Sequence, residues 1–138
     1  MAAESLVDSK FEASKQLASA LVQRGAPLLA AFWDFHEDID RWTLVLVPTS
    51  SNEKHRLIKQ TTELLIEPPY RSIFSISDTL VDGQQIDRAR ALGAYIRYEP
   101  YIGRRFDTTF TDGRFFESVV PVYFRPELLT RLALASGA

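Results

Sequence analysis

The dipeptide Asp112-Gly113 constrains the fold of this chain more than any other short feature. It lies between "RRFDTTF" and "FFESVVPVYF", two stretches that are rich in aromatic and β-branched residues. Asp-Gly between two such stretches is typical of a two-residue type I′ turn, which joins antiparallel strands. In that register Phe110 lies opposite Phe115. The sequence therefore predicts a closing β-hairpin with a defined register.

Strand alternation divides the residues of this hairpin between the two faces of a sheet. One face is expected to pack on helices and carries Phe106, Phe110, Phe115, Val119 and Tyr123. The other face is expected to be half exposed, and its candidate interaction surface comprises Arg105, Arg114, Phe116, Val120 and Val122. Pro121 has no N–H to donate, which predicts an edge position or a bulge in the final strand.

The first half of the chain predicts a helix followed by a second hairpin. Apolar residues recur at helical spacing between Val7 and Val22, and Gly25 suits the C-terminal cap of that helix. The stretches "LLAAFWDF" and "RWTLVLVP" predict two strands with an acidic loop between them. Ser50 and Glu53 then have the capping-box spacing that begins a second amphipathic helix.

The remaining segments predict shorter elements. "SIFSIS" is typical of a strand, "VDGQQIDRARALG" of a helix that ends at Gly93, and "AYIRYEPY" of a further strand. "PELLTRLALA" predicts a short C-terminal helix with proline in its first turn.

These elements predict a single α+β domain over residues 1–138. Most strands are joined by hairpins, which favours a two-layer fold with helices on one face of a largely antiparallel sheet of about five strands. The predicted order is α-β-β-α-β-α-β-β plus the short C-terminal helix. A chain of 138 residues is long enough to bury a substantial core.

Composition narrows the classes of function. The chain has no cysteine, which excludes disulfides, thiolate metal sites and cysteine nucleophiles. No apolar run approaches a membrane span, and the N-terminus lacks the pattern of a secretory signal, so we expect a cytoplasmic protein without membrane attachment. The glycines are too scattered for a phosphate-binding loop, and no cofactor is predicted.

The stretch "WDFHEDIDRW" is the one candidate metal site. Asp34, His36, Asp38 and Asp40 stand at alternate positions, where they would share one face of a strand. The calcium-loop pattern fails, because isoleucine and valine stand where it needs glycine and a bidentate glutamate. We interpret the stretch as a solvated hairpin loop, with a metal protein or enzyme centred on it as the weaker alternative.

Arginine and aromatic residues concentrate in the second half, where every basic residue is arginine. Guanidinium groups beside aromatic rings on a sheet are one way to bind nucleic acid. Between Tyr95 and Arg125, however, five arginines face four acidic residues, and nucleic-acid surfaces usually carry a clear positive excess. Nucleic-acid binding is therefore an alternative that we favour less than a protein partner or self-association.

The element order, with "AAFWDF…RWTLVLVP" and "FTDGRFF…VYF", resembles a loose group of small bacterial proteins that have no assigned activity. This resemblance implies an α+β fold in a small cytoplasmic protein, and it assigns no functional residue. The predicted interaction surface, and not this resemblance, favours a non-enzymatic protein–protein interaction module or accessory subunit.

Overall fold

The computed structural model describes residues 8–36, 41–68, 70–74, 78–96, 105–111, 114–126 and 128 of the chain. At positions 8, 36, 94–96, 107–111 and 114–117 it describes the backbone only. The helices are α1 (Asp8–Gln23), α2 (Lys54–Leu65), α3 (Tyr70–Ile73) and α4 (Ile86–Ile96). The strands are β1 (Leu28–His36), β2 (Arg41–Pro48), β3 (Thr79–Val81), β4 (Phe106–Thr111) and β5 (Arg114–Phe124).

The strands form one mixed sheet in the order β3-β2-β1-β5-β4. The pairs β1–β2, β1–β5 and β4–β5 are antiparallel, whereas β3 lies parallel to β2. The α+β class is confirmed. The sheet places β1 at its centre, with β3 and β4 at its two edges.

Both predicted hairpins are present. β1 and β2 pair along their length, from Leu28 opposite Pro48 to His36 opposite Arg41. In the second hairpin Phe110 lies opposite Phe115, which is the predicted register. The predicted turn at 112–113 lies outside the described residues.

β5 contains a bulge, as the proline in this strand predicted. Ala31 of β1 lies opposite Tyr123, but the next residue, Phe32, lies opposite Pro121, so β5 has one extra residue at this point. A bulge moves the residues beyond it to the other face of the sheet. Phe124 therefore stacks on Phe32 with ring centroids 6.3 Å apart.

Helices cover both faces of the sheet, so the prediction that they pack on one face is wrong. The front face is the side covered by α1, α2 and α3, and its buried strand residues are Leu28, Ala31, Trp33, Leu44, Leu46, Val120 and Val122. The back face is the side covered by α4, and its buried strand residues are Leu29, Ala30, Phe32, Val45, Val47, Val119 and Phe124. The sheet is thus the middle of three layers.

This arrangement corrects part of the predicted interaction surface. Val120 and Val122 are only 5% and 3% exposed, because α1 and α2 pack on the front face where both valines lie. They belong to the core and contribute no surface to the monomer. The error arose because one face of the hairpin was assumed to remain uncovered.

The first helix ends as the sequence predicted. Gly25 has a positive φ of 71°, which glycine adopts without steric cost. Its N–H donates to the carbonyl oxygen of Val22 at 3.0 Å, and the N–H of Ala26 donates to that of Leu21 at 2.9 Å. These two bonds form a Schellman motif, which satisfies the last carbonyls of α1 and turns the chain toward β1.

The predicted capping box before α2 is absent. Ser50 makes no side-chain cap bond, because a 3-10 turn over Ser51–Glu53 precedes the α-helix. Glu53 is consequently the residue before the helix rather than its third residue, and its carboxylate accepts from Arg56 at 3.2 Å. The spacing was correct, but the extra turn changed which residue begins the α-helix.

Two of the shorter predicted strands are partly wrong. Ser72 and Ile73 of "SIFSIS" lie in α3, and the strand in this region is Thr79–Val81. The start of "AYIRYEPY" continues α4 to Ile96, so Gly93 lies within the helix rather than at its end. A Cβ at Gly93 would lie 3.2 Å from that of Leu128, so this glycine allows residue 128 to approach α4 closely.

The start of α4 is close to the prediction. Asp82 accepts from the N–H of Gln84 at 2.9 Å and caps a 3-10 turn, after which the α-helix begins at Ile86. The predicted C-terminal helix lies largely outside the described residues, although Leu128 is buried against the back face. Within the described ranges, none of the helices combines the length and the apolar character that a membrane crossing requires.

Candidate functional site

The acidic stretch belongs partly to β1 rather than to a loop. β1 continues to His36 and β2 begins at Arg41, so Asp34 lies within the central strand and is only 2% exposed. The His36 side chain, and all of Asp38 and Asp40, lie outside what the structure describes. In the described part of the chain there is no group of three or more metal-ligating residues.

Asp34 forms a buried ion pair between the sheet and α4. Its Oδ2 accepts from Nη1 of Arg88 at 2.9 Å, and the same nitrogen donates to Oε1 of Gln85 at 2.8 Å. A buried carboxylate needs such a partner, because burial removes the water that would otherwise stabilise its charge. We therefore interpret Asp34 as a structural residue that holds α4 on the back face.

A second ion-pair group joins three elements near the start of β2. Asp78, which precedes β3, accepts from Nζ of Lys10 at 3.3 Å and from Nη2 of Arg41 at 3.4 Å. The aspartate side chain is 12% exposed, whereas those of the lysine and arginine are 35% and 42% exposed. The group connects α1, β2 and β3, and partial exposure of the cations keeps each contact modest in energy.

Arg105, which the sequence placed on an interaction surface, reaches across the sheet. Its guanidinium carbon lies 5.4 Å from the ring centroid of Trp42, and its Nη2 is 3.4 Å from Oγ of Ser118. The Trp42 ring also lies 5.2 Å from that of Phe35. Cation–π contact of this kind is worth about 0.5–1 kcal/mol at partly exposed sites. Arg105 thus connects the start of β4 with β2 and β5.

The other predicted surface residues lie in β5 opposite β4. Phe116 pairs with Thr109, and Arg114 pairs with Thr111, although the side chains of both β5 residues lie outside what the structure describes. The structure therefore describes the side chains of only three of the five predicted surface residues. Val120 and Val122 are in the core, and Arg105 packs against Trp42.

The two edges of the sheet differ in length. β3 is an edge of only three residues, and Leu80 in this strand is 42% exposed. β4 is an edge of six residues, "FDTTFT", and no strand of the described ranges pairs with its outer side. We refer to the outer side of Phe106–Thr111 as the β4 edge.

The backbone groups at the β4 edge alternate in direction. A connection of two residues between Thr111 and Arg114 favours hydrogen bonding within that pair. In an antiparallel ladder the hydrogen-bonded pairs recur at every second position, so residues 107, 109 and 111 direct their N–H and C=O toward β5. Thr108 and Phe110 then direct theirs outward, where a further strand can pair with them.

The composition of β4 does not protect this edge. Natural edge strands are commonly shortened, bulged, or supplied with lysine or proline, because an unprotected edge pairs with other chains. β4 contains no lysine and no proline, and Asp107 is its one charged residue. Its pairing with β5 is regular from Phe106 to Thr111, without a bulge.

Sequence reasoning missed the β4 edge because it concentrated on the faces of the sheet. The proline in β5 predicted an edge position or a bulge for the last strand, and β5 lies between β1 and β4. The useful signal was in "FDTTFT" itself, which alternates Phe and Thr but lacks the residues that usually block edge pairing.

Comparison with protein-family models, with curated proteins and with solved structures finds no match to this chain.

Proposed function

We propose that this chain is a non-enzymatic protein–protein interaction domain of the cytoplasm that binds a partner strand along the β4 edge. The observation that carries the proposal is the contrast between the faces and the edge of the sheet. Helices cover both faces, whereas the six-residue outer edge of β4 has no paired strand in the described ranges.

Edge pairing accounts for both affinity and specificity. An extended segment that joins a sheet gains main-chain hydrogen bonds along the strand, and its alternate side chains contact those of the edge strand. At the β4 edge the outward N–H and C=O groups of Thr108 and Phe110 supply the hydrogen bonds. Positions 106, 108 and 110 share one face of β4 by strand alternation.

The ion pairs support a structural role for the main charged groups. Asp34 is paired with Arg88 in the core, and Asp78 is paired with Lys10 and Arg41 between three elements. These pairs stabilise the packing of α1 and α4 on the sheet of which β4 is an edge strand. A preorganised edge binds with a smaller loss of conformational entropy.

The test compares two proline variants at neighbouring positions of β4. Proline at position 108 removes an outward N–H, so Thr108→Pro is expected to block edge binding while the fold is retained. Proline at position 109 removes an inward donor to β5, so Thr109→Pro is expected to lower the melting temperature. Each variant is used as bait for affinity capture from the native host, with mass spectrometry of the bound proteins.

The expected result is that wild-type protein captures a partner, or further copies of itself, and Thr108→Pro does not. The surface control is Thr62→Lys, at an exposed position of α2. Lysine is used there because proline would interrupt the helix. Retention of every captured protein by a folded Thr108→Pro variant contradicts binding through the β4 edge.

A further inference from the structure

We propose that a basic patch on the helices of the front face binds an acidic segment of another protein that also carries apolar side chains. The basic patch comprises Arg24, which follows α1, and Lys54, His55, Arg56 and Lys59 in the first half of α2. It lies on the helix layer and not at an edge of the sheet, so this inference does not depend on binding at the β4 edge.

A hydrogen bond places the two parts of the basic patch side by side. Nη2 of Arg56 donates to the carbonyl oxygen of Gly25 at 3.2 Å, and Arg24 is the residue before this glycine. Lys59 lies three positions after Arg56 and four after His55, so it neighbours both on the surface of α2. The end of α1 and the first half of α2 therefore present positive charges on one surface.

The basic patch differs in charge from the chain as a whole. The chain has a net charge of −2, whereas residues 54–62 include two lysines and one arginine and no acidic residue. Glu53 is the acidic residue that contacts the patch, through its ion pair with Arg56 at 3.2 Å. With Arg24, four lysine and arginine side chains thus stand against one carboxylate.

The lysines of α2 form no contact that the fold requires. Both lysines of α1, Lys10 and Lys15, form ion pairs with carboxylates of this chain. Within the ranges that the structure describes, the side chains of Lys54 and Lys59 have neither an ion-pair nor a hydrogen-bond partner. These two lysines can therefore pair with carboxylates of a partner without breaking a contact in this chain.

Three features favour an acidic protein segment over nucleic acid or a membrane surface. Ile58 is 36% exposed among the basic side chains and offers an apolar contact to a partner side chain. Tight nucleic-acid binding uses about 6–10 phosphate contacts, more than this patch supplies. A helix that lies on a membrane inserts a broad apolar face, whereas that face of α2 is already buried against the sheet.

The test measures the binding of a fluorescein-labelled peptide in which pairs of glutamates alternate with leucine, by fluorescence anisotropy at about 50 mM salt. Lys54→Glu/Lys59→Glu is expected to weaken binding about tenfold, because each change replaces an attraction with a repulsion. The matched control Arg71→Glu/Arg90→Glu makes the same change in net charge at exposed positions of α3 and α4. We expect this control to change the affinity by less than about threefold.

A second pair of variants tests the apolar contact. Ile58→Ser is expected to weaken peptide binding about threefold, because it removes the apolar surface within the patch. Ile66→Ser, at an exposed position after α2, is expected to leave the affinity unchanged.

Thermal melts separate loss of the binding surface from loss of the fold. Lys54→Glu/Lys59→Glu is expected to melt within about 2 °C of the wild type, since neither lysine has a partner in the described ranges. The β4-edge variant Thr108→Pro is expected to bind the peptide as the wild type does. Failure of edge binding and failure of this inference are therefore distinguishable.

Four results overturn the inference. One is the absence of peptide binding at protein concentrations up to about 1 mM. Another is an equal loss of binding in the two double variants, which would show that only net charge matters. A third is a large fall in the melting temperature of Lys54→Glu/Lys59→Glu, which would assign the two lysines to the fold. The fourth is tighter binding to single-stranded DNA or to phosphatidylserine vesicles than to the peptide, which would make the partner a different anion.

Discussion

Replacement of Arg88 by methionine tests whether the Asp34–Arg88 pair holds α4 on the sheet. The substitution keeps an unbranched apolar side chain but removes the guanidinium group that lies 2.9 Å from the buried carboxylate. Removing one partner of a buried ion pair typically costs about 3–5 kcal/mol, because the other charge stays buried without compensation. Arg88 is 21% exposed, so solvent weakens the pair, and we expect the lower end, about 3 kcal/mol.

Replacing Asp34, the other member of the ion pair, is expected to lower the free energy of unfolding by less. In Asp34→Leu the remaining arginine still contacts Gln85 and can turn toward water, whereas in Arg88→Met the carboxylate remains in a site that is only 2% exposed. We therefore expect about 1–2 kcal/mol for Asp34→Leu. The double variant Asp34→Leu/Arg88→Met is expected to be more stable than Arg88→Met alone, since the buried carboxylate that Arg88 pairs with is removed as well.

The assay is urea and thermal unfolding of the three variants beside Arg90→Met, which alters an exposed arginine of the same helix. For a domain of this size about 3 kcal/mol corresponds to a fall in melting temperature on the order of 10 °C. The reasoning is refuted if Arg88→Met is no less stable than Arg90→Met. It is also refuted if Asp34→Leu is the more damaging of the two single changes.

Three further changes test the fold and the weaker functional alternative. Gly25→Ala is expected to lower the free energy of unfolding by about 1 kcal/mol, because alanine is strained at a φ of 71°; urea denaturation measures this, and no loss would contradict the cap. Val120→Ala is expected to cost about 2–3 kcal/mol as a core residue, against about 0.5 kcal/mol or less for the exposed Val22→Ala. Arg105→Ala is expected to leave nucleic-acid affinity weak and unchanged at ~150 mM salt by fluorescence anisotropy; submicromolar binding that this change abolishes would support the nucleic-acid alternative.

The parts of the fold that depend on neighbouring residues were predictable. Asp112-Gly113 specified the register of β4 and β5, and Gly25 specified the end of α1. Pro121 indicated the bulge, because a strand cannot use proline as a ladder donor. In each case one residue type has a single conformational or hydrogen-bonding property that limits the local structure.

Coverage of the front face, where Val120 and Val122 lie, was not predicted, although β2 carried a signal that both faces are covered. The run Leu44–Val47 is continuously apolar and almost fully buried, which is typical of a strand covered on both faces. An alternating pattern would have indicated one exposed face. The β4–β5 hairpin, where polar residues alternate with apolar ones, predicts helices only on the side of Phe106 and Val119. That side is covered by α4, whereas α1, α2 and α3 cover the opposite side.

The buried polar contacts could not be predicted from spacing. Asp34 and Arg88 are far apart in sequence, and Trp33 finds its partner in Ser14 of α1, whose Oγ lies 3.0 Å from the indole nitrogen. Ser14 stood in the apolar face of that helix as a small polar residue without an evident role. The Ser14 hydroxyl also donates to the carbonyl oxygen of Phe11 at 2.6 Å. The hydroxyl therefore both donates and accepts, and the bond from Trp33 forms only when α1 packs on β1.

Contacts of residues 105 and 106 hold the start of the edge strand β4 against the rest of the sheet. Arg105 packs on Trp42 and approaches Ser118, while Phe106 packs against the buried back-face cluster. The start of the strand is therefore held from both sides of the sheet, and its inner side pairs regularly with β5. The edge binding proposed above therefore uses a strand whose first residues already have contacts on both faces, and ordering fewer residues on binding favours association.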